Sequence, residues 1–127
     1  MKTLRALSFG LLALVGTKFS QAQDTKPKAK QKAGTEQVNI KTSAVCDMCK
    51  ARLEKALAYE KGVQAAVLNV PTQMLTVTYR TDKTNADALR SAVVATGYDA
   101  DTKTANAKAY ERLPECCKKT NSVHTTE

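Results

Sequence analysis

Two cysteines, Cys46 and Cys49, offer the clearest reactive chemistry in this sequence. Their spacing allows both thiols to turn towards one small site, between a segment with strand-like alternation and a segment with helical periodicity. A cysteine in the first turn of a helix lies near unpaired backbone N–H groups and the positive end of the helix dipole, which favours the thiolate, and the adjacent Lys50 should add to this effect. Thiolates bind soft metal ions and also attack disulfides. The pair alone therefore leaves a metal site, a redox couple and a local disulfide open.

A second pair of cysteines, Cys116 and Cys117, lies near the C-terminus. Four cysteines often form disulfides in an oxidising compartment, but two tight pairs are a poor framework for stapling a fold. We expect Cys116 and Cys117 to return to Cys46 and Cys49 as auxiliary ligands, or to form a second soft site. The alternative is a disulfide, either within the adjacent pair or to another chain. The single histidine, His124, is expected to be solvated in a polar tail.

The segment between the two pairs predicts four strands and two helices. The strands are expected at residues 37–42, 63–70, 75–80 and 98–100, and the helices at 49–60 and from Thr84 to Gly97. Gly62 and Gly97 suit the left-handed position that often closes a helix. Two right-handed crossovers and one hairpin then give an α+β, ferredoxin-like βαββαβ sandwich, with a four-stranded antiparallel sheet and both helices on one face. This topology places Tyr98 beside the cysteine loop and starts the tail at the far end of the domain.

The N-terminal region has the pattern of a secretory signal peptide. A short basic segment precedes an apolar run at 6–16, which is too short to span a membrane, and Ser20-Gln21-Ala22 resembles a cleavage site. We therefore expect residues 1–22 to be removed from a periplasmic or secreted protein that keeps no membrane span. The remainder divides into a basic linker at 23–35, a domain at 36–101, and a C-terminal tail at 102–127 with a short helix at 105–113.

The chain is basic, with a formal net charge of +8, and several of its lysines crowd into residues 26–32. This lysine-rich segment contains no aromatic side chain on which a base could stack. A solvated, disordered tether is therefore the better interpretation, and no nucleic-acid partner is expected.

Residues 36–101 resemble the heavy-metal-associated domain, the module of copper chaperones, copper-ATPase N-terminal repeats and the periplasmic mercuric-ion binding protein. Four features carry the resemblance: the Cys46–Cys49 motif after the first strand, Gly62-Val63, Val67-Leu68-Asn69-Val70, and Gly97-Tyr98. The resemblance implies that Cys46 and Cys49 bind one soft ion between them and that Tyr98 lies beside the site. In one departure, Ala44 stands where the family usually has a methionine beneath the loop.

Two thiolates without a nearby histidine or carboxylate set select soft ions. Such a pair suits Cu(I) or Hg(II), whereas four thiolates would admit Zn(II) or Cd(II). Copper is favoured because copper transfer is the commoner task in the family that the chain resembles. The expected function is an exported Cu(I) metallochaperone or scavenger, not an enzyme, that passes its ion by ligand exchange to a metal-transporting ATPase or another metal carrier.

Three other functions remain open at this stage. One is a protein that binds mercuric, zinc or cadmium ions. The second, from a different class, is a thiol–disulfide oxidoreductase, and the third is an interaction domain whose cysteines form structural disulfides. Against the oxidoreductase, a thioredoxin-like site usually carries a proline facing the motif, and here Pro71 lies in a turn and Pro114 in the tail.

Overall fold

The computed structural model describes residues 34–125. The expected signal peptide at 1–22 and nearly all of the linker at 23–35 lie outside these residues. Within the described range, no helix is both long enough and apolar enough to cross a membrane.

A three-stranded antiparallel sheet forms the base of the domain. Its strands are β1 (Thr35–Lys41), β2 (Val63–Asn69) and β3 (Met74–Arg80), in the spatial order β1-β3-β2. The alternation in β3, a strand that the sequence predicted at 75–80, turns Leu75 and Val77 into the core. The central β3 therefore joins the two outer strands through one continuous apolar face.

Two helices complete the main body of the domain. Helix α1 (Asp47–Ala58) packs against β2 and against helix α2 (Ala86–Thr96). Their buried side chains join those of the strands in a single hydrophobic core. The helical side chains that are buried are Cys49, Leu53, Leu57, Leu89 and Val93.

The helix boundaries confirm Gly97 as the stop of α2 and shift both starts. Helix α1 ends at Ala58 with Tyr59 as its cap, so Gly62 lies in the turn before β2. Gly62 and Gly97 have left-handed φ values of +84° and +107°, respectively. Helix α1 begins two residues earlier than predicted because Cys46 caps it, and α2 is capped by Asn85 rather than Thr84. The Asn85 side chain accepts a hydrogen bond of 2.9 Å from the Ala88 N–H, which satisfies one of the unpaired donors of the first turn.

The prediction of a fourth strand is wrong for the described residues. Ala100 makes only an isolated bridge with Thr42, and the chain then turns back to a second bridge between Ala100 and Lys103. At the turn, Asp101 adopts a φ of +52° and its carboxylate accepts from the Lys41 N–H and pairs with Arg90 at 2.7 Å. These contacts stop the strand after one bridge. As a result, the tail starts close to the end of β1 instead of travelling to the far end of the domain.

The tail folds back onto the domain through short elements. Helix α3 (Ala107–Glu111) is shorter than the predicted 105–113, and a 3₁₀ turn follows at Glu115–Cys117. The Asn106 N–H donates to the Val94 carbonyl at 3.1 Å, which ties the start of α3 to the end of α2. Leu113 and Cys117 are buried in the same core as the strands and helices. The tail is thus an integral layer of the domain.

Candidate metal centre

The site begins at the N-terminus of α1, where Cys46 and Cys49 meet. Cys46 occupies the capping position, with extended φ and ψ values of −149° and 170°. Its Sγ accepts a hydrogen bond from the Cys49 N–H at 3.4 Å and lies 3.0 Å from the Cys49 Sγ. The helix start therefore directs both sulfur atoms to one point, where the helix dipole favours negative charge.

The tail brings the second pair of cysteines to the same point. The Cys117 Sγ lies 3.8 Å from the Cys46 Sγ and 4.0 Å from the Cys116 Sγ. The sulfur atoms of Cys46, Cys116 and Cys117 all lie within 4.8 Å of one another. All four cysteines fall within the described residues, and all four are free thiols. The structure thus places the two pairs together, while their role as metal ligands stays a prediction.

The four thiols differ in their access to solvent. Cys46, Cys49 and Cys117 are buried, with exposed fractions of 4%, 0% and 1%, whereas Cys116 is half-buried. A surface cavity of about 430 Å³ borders the cluster and is lined by Cys46, Asp47, Met48, Cys116 and His124. The cluster therefore has three inner sulfur atoms and one at the rim.

The surroundings of the thiols shift their pKa values in different directions. Burial works to raise the pKa of Cys49, but the nearby Cys46 and Cys117 thiols, the Val45 backbone and the Tyr98 hydroxyl lower it overall. Burial raises the pKa of Cys46 and of Cys117, and their contacts with Cys49 add to the rise. Of the three buried thiols, Cys49 is thus the easiest to deprotonate.

The prediction that Lys50 helps to favour the thiolate form of Cys49 is wrong. Its ammonium group forms an ion pair with the Glu54 carboxylate and donates a hydrogen bond of 2.9 Å to the Leu68 carbonyl. The same Glu54 carboxylate accepts from the Leu68 N–H at 2.8 Å. Lys50 therefore joins α1 to β2, and the thiolate depends on hydrogen bonds and the helix start.

Tyr98 lies beside the sulfur cluster as a fully buried side chain. Within residues 34–125, its hydroxyl finds no partner with good hydrogen-bond geometry. Burial, followed by the nearby Cys49 and Cys117 thiols, raises the pKa of Tyr98, so the side chain remains a phenol that can donate a hydrogen bond. The Tyr98 hydroxyl can donate a hydrogen bond to a thiolate, but a protonated phenol does not replace a thiolate as a metal ligand.

We expect Tyr98→Phe to retain the full number of bound metal ions while the affinity for the metal falls by about 10-fold, because a neighbour that donates to a ligand tunes its strength. The stability of the metal-free protein should not fall, since an unpartnered buried hydroxyl costs about 1–3 kcal/mol. A competitor titration and a thermal unfolding curve measure the two effects. Tyr79→Phe is the control, because the Tyr79 hydroxyl bonds Glu36 instead. The loss of one metal equivalent in Tyr98→Phe would contradict this assignment.

Met48 is a candidate contact that the sequence interpretation missed. Its Sδ lies 3.7 Å from the Cys116 Sγ, and the side chain is 51% exposed. A thioether is a soft ligand, so an exposed methionine between two cysteines was an available signal. His124 has an exposed side chain, as expected, although its backbone N–H donates to the Val45 carbonyl at 2.8 Å. That bond holds the end of the tail against the cysteine loop.

These features define a class of α+β domain in which a CxxC pair opens the first helix and presents two sulfur atoms to one point. The family model of the heavy-metal-associated domain matches residues 35–99, about half of the chain. The chain belongs to this family. The match ends before Cys116 and Cys117, so the tail thiols lie outside it.

Curated relatives of the chain include two bacterial copper-exporting P-type ATPases. The protein from Staphylococcus epidermidis is 34% identical over 90 residues, which cover 69% of this chain and 11% of the ATPase. The protein from Staphylococcus aureus is 36% identical over 74 residues, which cover 58% of this chain and 9% of the ATPase. The chain thus spans about a tenth of the length of these relatives.

Two solved structures share the fold of the matched region. A CopZ metallochaperone superposes with a TM-score of 0.50 at 27% identity, covering 51% of this chain and 98% of CopZ. Oxidized MerP from Ralstonia metallidurans superposes with a TM-score of 0.51 at 25% identity, covering 54% of this chain and 96% of MerP. The superposition covers almost the whole of each of these two proteins, whereas about half of this chain lies outside it.

Proposed function

We propose that this protein binds one Cu(I)-class ion through the thiolates of Cys46 and Cys49 and passes it on by ligand exchange. The observation that carries the proposal is the approach of the two sulfur atoms to 3.0 Å at a helix start, within a heavy-metal-associated domain. Similarity to copper-exporting ATPases and to a CopZ metallochaperone supports copper. Similarity to MerP makes Hg(II) the alternative ion.

The chemistry of transfer requires only thiolates. A partner's thiolate adds to the bound ion, and one of the original metal–sulfur bonds then breaks, so no substrate is activated. This is the work of a carrier, and we infer that the protein is not an enzyme. A metal-transporting ATPase or another metal carrier is the proposed partner.

The burial of the thiols favours metal binding over thiol–disulfide exchange. An oxidoreductase needs an attacking thiolate that can reach the sulfur atom of a partner disulfide. Cys49, the thiol favoured as thiolate, is fully buried, and Cys46 is nearly so. A small metal ion can reach such sulfur atoms more easily than a protein disulfide can.

We propose further that the protein is exported to the periplasm or secreted, on the strength of the signal-peptide pattern in residues 1–22. N-terminal sequencing of the protein recovered from its native host tests this step. A mature N-terminus close to Gln23 supports export. Recovery of a chain that still begins at Met1 would oppose it.

A direct metal titration tests the proposed function. The reduced chain is titrated anaerobically with Cu(I) against a chromophoric Cu(I) chelator, with native mass spectrometry to count bound ions. We expect at least one tightly held Cu(I) per chain, and Hg(II), Zn(II) and Cd(II) are measured in parallel to rank the ions. No retention of any soft ion, together with catalytic reduction of a protein disulfide, would favour the oxidoreductase.

A further inference from the structure

The C-terminal tail places a third buried thiol beside Cys46 and Cys49. The proposed function requires only the thiolates of those two residues. The exposed fraction of Cys117 is 1%, and its Sγ lies 3.8 Å from the Cys46 Sγ. The Cys46 Sγ in turn lies 3.0 Å from the Cys49 Sγ. We propose that Cys117 is a third metal ligand, so that two thiolates from the loop and one from the tail hold a single ion. This inference rests on the proposed function.

One sulfur–sulfur distance in the cluster already suits three ligands around one ion. With metal–sulfur bonds of about 2.3 Å, three sulfur atoms arranged in a plane around the ion lie about 4.0 Å apart. The 3.8 Å between Cys46 and Cys117 is already close to that value. The 3.0 Å between Cys46 and Cys49 must widen on binding.

The unpartnered hydroxyl of Tyr98 is an independent observation at the same place. The Tyr98 side chain is fully buried, and its hydroxyl lies near the Cys49 and Cys117 sulfur atoms. When both sulfur atoms are metal-bound thiolates, this hydroxyl gains a charged acceptor. With Cys117 as a thiol only, the hydroxyl has one charged acceptor, the Cys49 thiolate, instead of two.

The position of Cys117 is fixed by contacts that do not involve metal. The buried Leu113 anchors the tail in the core, and the Cys117 N–H donates to the Pro114 carbonyl at 2.8 Å. The Lys118 ammonium group donates to the Tyr110 carbonyl at 2.7 Å. Because the third sulfur atom is placed before the ion arrives, little ordering is left to oppose binding.

Cys116 is a matched control for Cys117 because it is the adjacent residue with a different environment. Its Sγ is half-buried and faces the Met48 Sδ at the rim of the cavity. It also lies within 4.8 Å of the Cys46 Sγ, so it is the competing candidate for the third ligand. The two residues can therefore be distinguished by single substitutions.

The number of sulfur ligands tests the proposal. X-ray absorption spectra are compared for the Cu(I)-loaded wild type, Cys117→Ser, Cys116→Ser and the double variant. We expect three sulfur atoms in the wild type and in Cys116→Ser, and two in Cys117→Ser and in the double variant. The Cu(I) affinity should fall by about 10-fold or more in Cys117→Ser, while Cys116→Ser stays near the wild type.

Three results would overturn the proposal. The first is a wild type with two or four sulfur ligands. The second is a Cys117→Ser variant that keeps three sulfur ligands, and the third is the loss of a sulfur ligand in Cys116→Ser alone. A wild type that retains no Cu(I) refutes the proposed function itself, whereas a wild type that retains Cu(I) with two sulfur atoms refutes only the third ligand. Thermal unfolding of Cys117→Ser and Cys117→Ala shows whether the tail remains folded, and the sulfur number of whichever variant unfolds like the wild type decides the question.

Discussion

Replacing Cys46 or Cys49 by serine is expected to weaken Cu(I) binding by at least about 100-fold, or ~3 kcal/mol, and the double variant should retain none against a thiol competitor. A serine hydroxyl is a hard oxygen donor that stays protonated, so it does not replace a thiolate for a soft ion. Cys46 should be the more damaging of the two single changes, because its sulfur atom is the one that approaches both Cys49 and Cys117.

The same substitutions should leave the fold intact. Serine is a preferred residue at a helix N-cap, so Cys46→Ser keeps a capping side chain at the start of α1. Chelator competition gives the affinity, and circular dichroism with thermal unfolding gives the stability. Cys116→Ser serves as the control for removal of a thiol from the rim. Unchanged Cu(I) affinity in both single variants would contradict the assignment of Cys46 and Cys49 as ligands.

Gly97→Ala is expected to destabilise the domain by about 2–3 kcal/mol. Gly97 has a φ of +107°, and a Cβ added there would lie 2.9 Å from the Ala109 carbonyl carbon and 3.0 Å from its oxygen. Those atoms belong to the backbone of α3, which cannot yield as the end of a flexible side chain can. The variant must strain its own backbone and also push the tail helix away from α2.

Denaturant unfolding measures this loss, and Ala95→Gly provides the opposite exchange at an exposed position of α2. That control should cost about 1 kcal/mol, the usual penalty for glycine inside a helix. The rate at which a thiol reagent modifies Cys117 should also rise in Gly97→Ala and stay unchanged in Ala95→Gly. Wild-type stability and an unchanged rate of modification in Gly97→Ala would show that α3 does not press on this glycine.

The strands, the helices and the reactive pair could be predicted because each depends on neighbouring residues. Alternation placed Leu75 and Val77 in the core, and the left-handed turns needed glycine at 62 and 97. The start of α2 was missed by one residue because Thr84 and Asn85 are both good caps, and only the three-dimensional position of the Ala88 N–H selects Asn85.

The errors arose where distant residues decide the local conformation. The fourth strand stops at Asp101 because this residue bonds Lys41 and Arg90, which are remote from it in the sequence. Lys50 is directed away from the thiols by Glu54 and by a carbonyl on β2. The return of Cys116 and Cys117 follows from the same turn at Asp101, since it starts the tail beside the domain rather than beyond it.

The turn at Asp101 also has a kinetic consequence. Only fourteen residues, 102–115, separate it from Cys116, and the tail remains attached to the domain along this path. A thiolate tethered in this way acts at an effective concentration in the millimolar range or above, whatever the concentration of the protein. With Cys117 as a ligand, free small thiols at lower concentration compete poorly for the ion. A partner that binds the tail removes this tethered competitor, so release would be fast to that partner and slow to the surrounding solution.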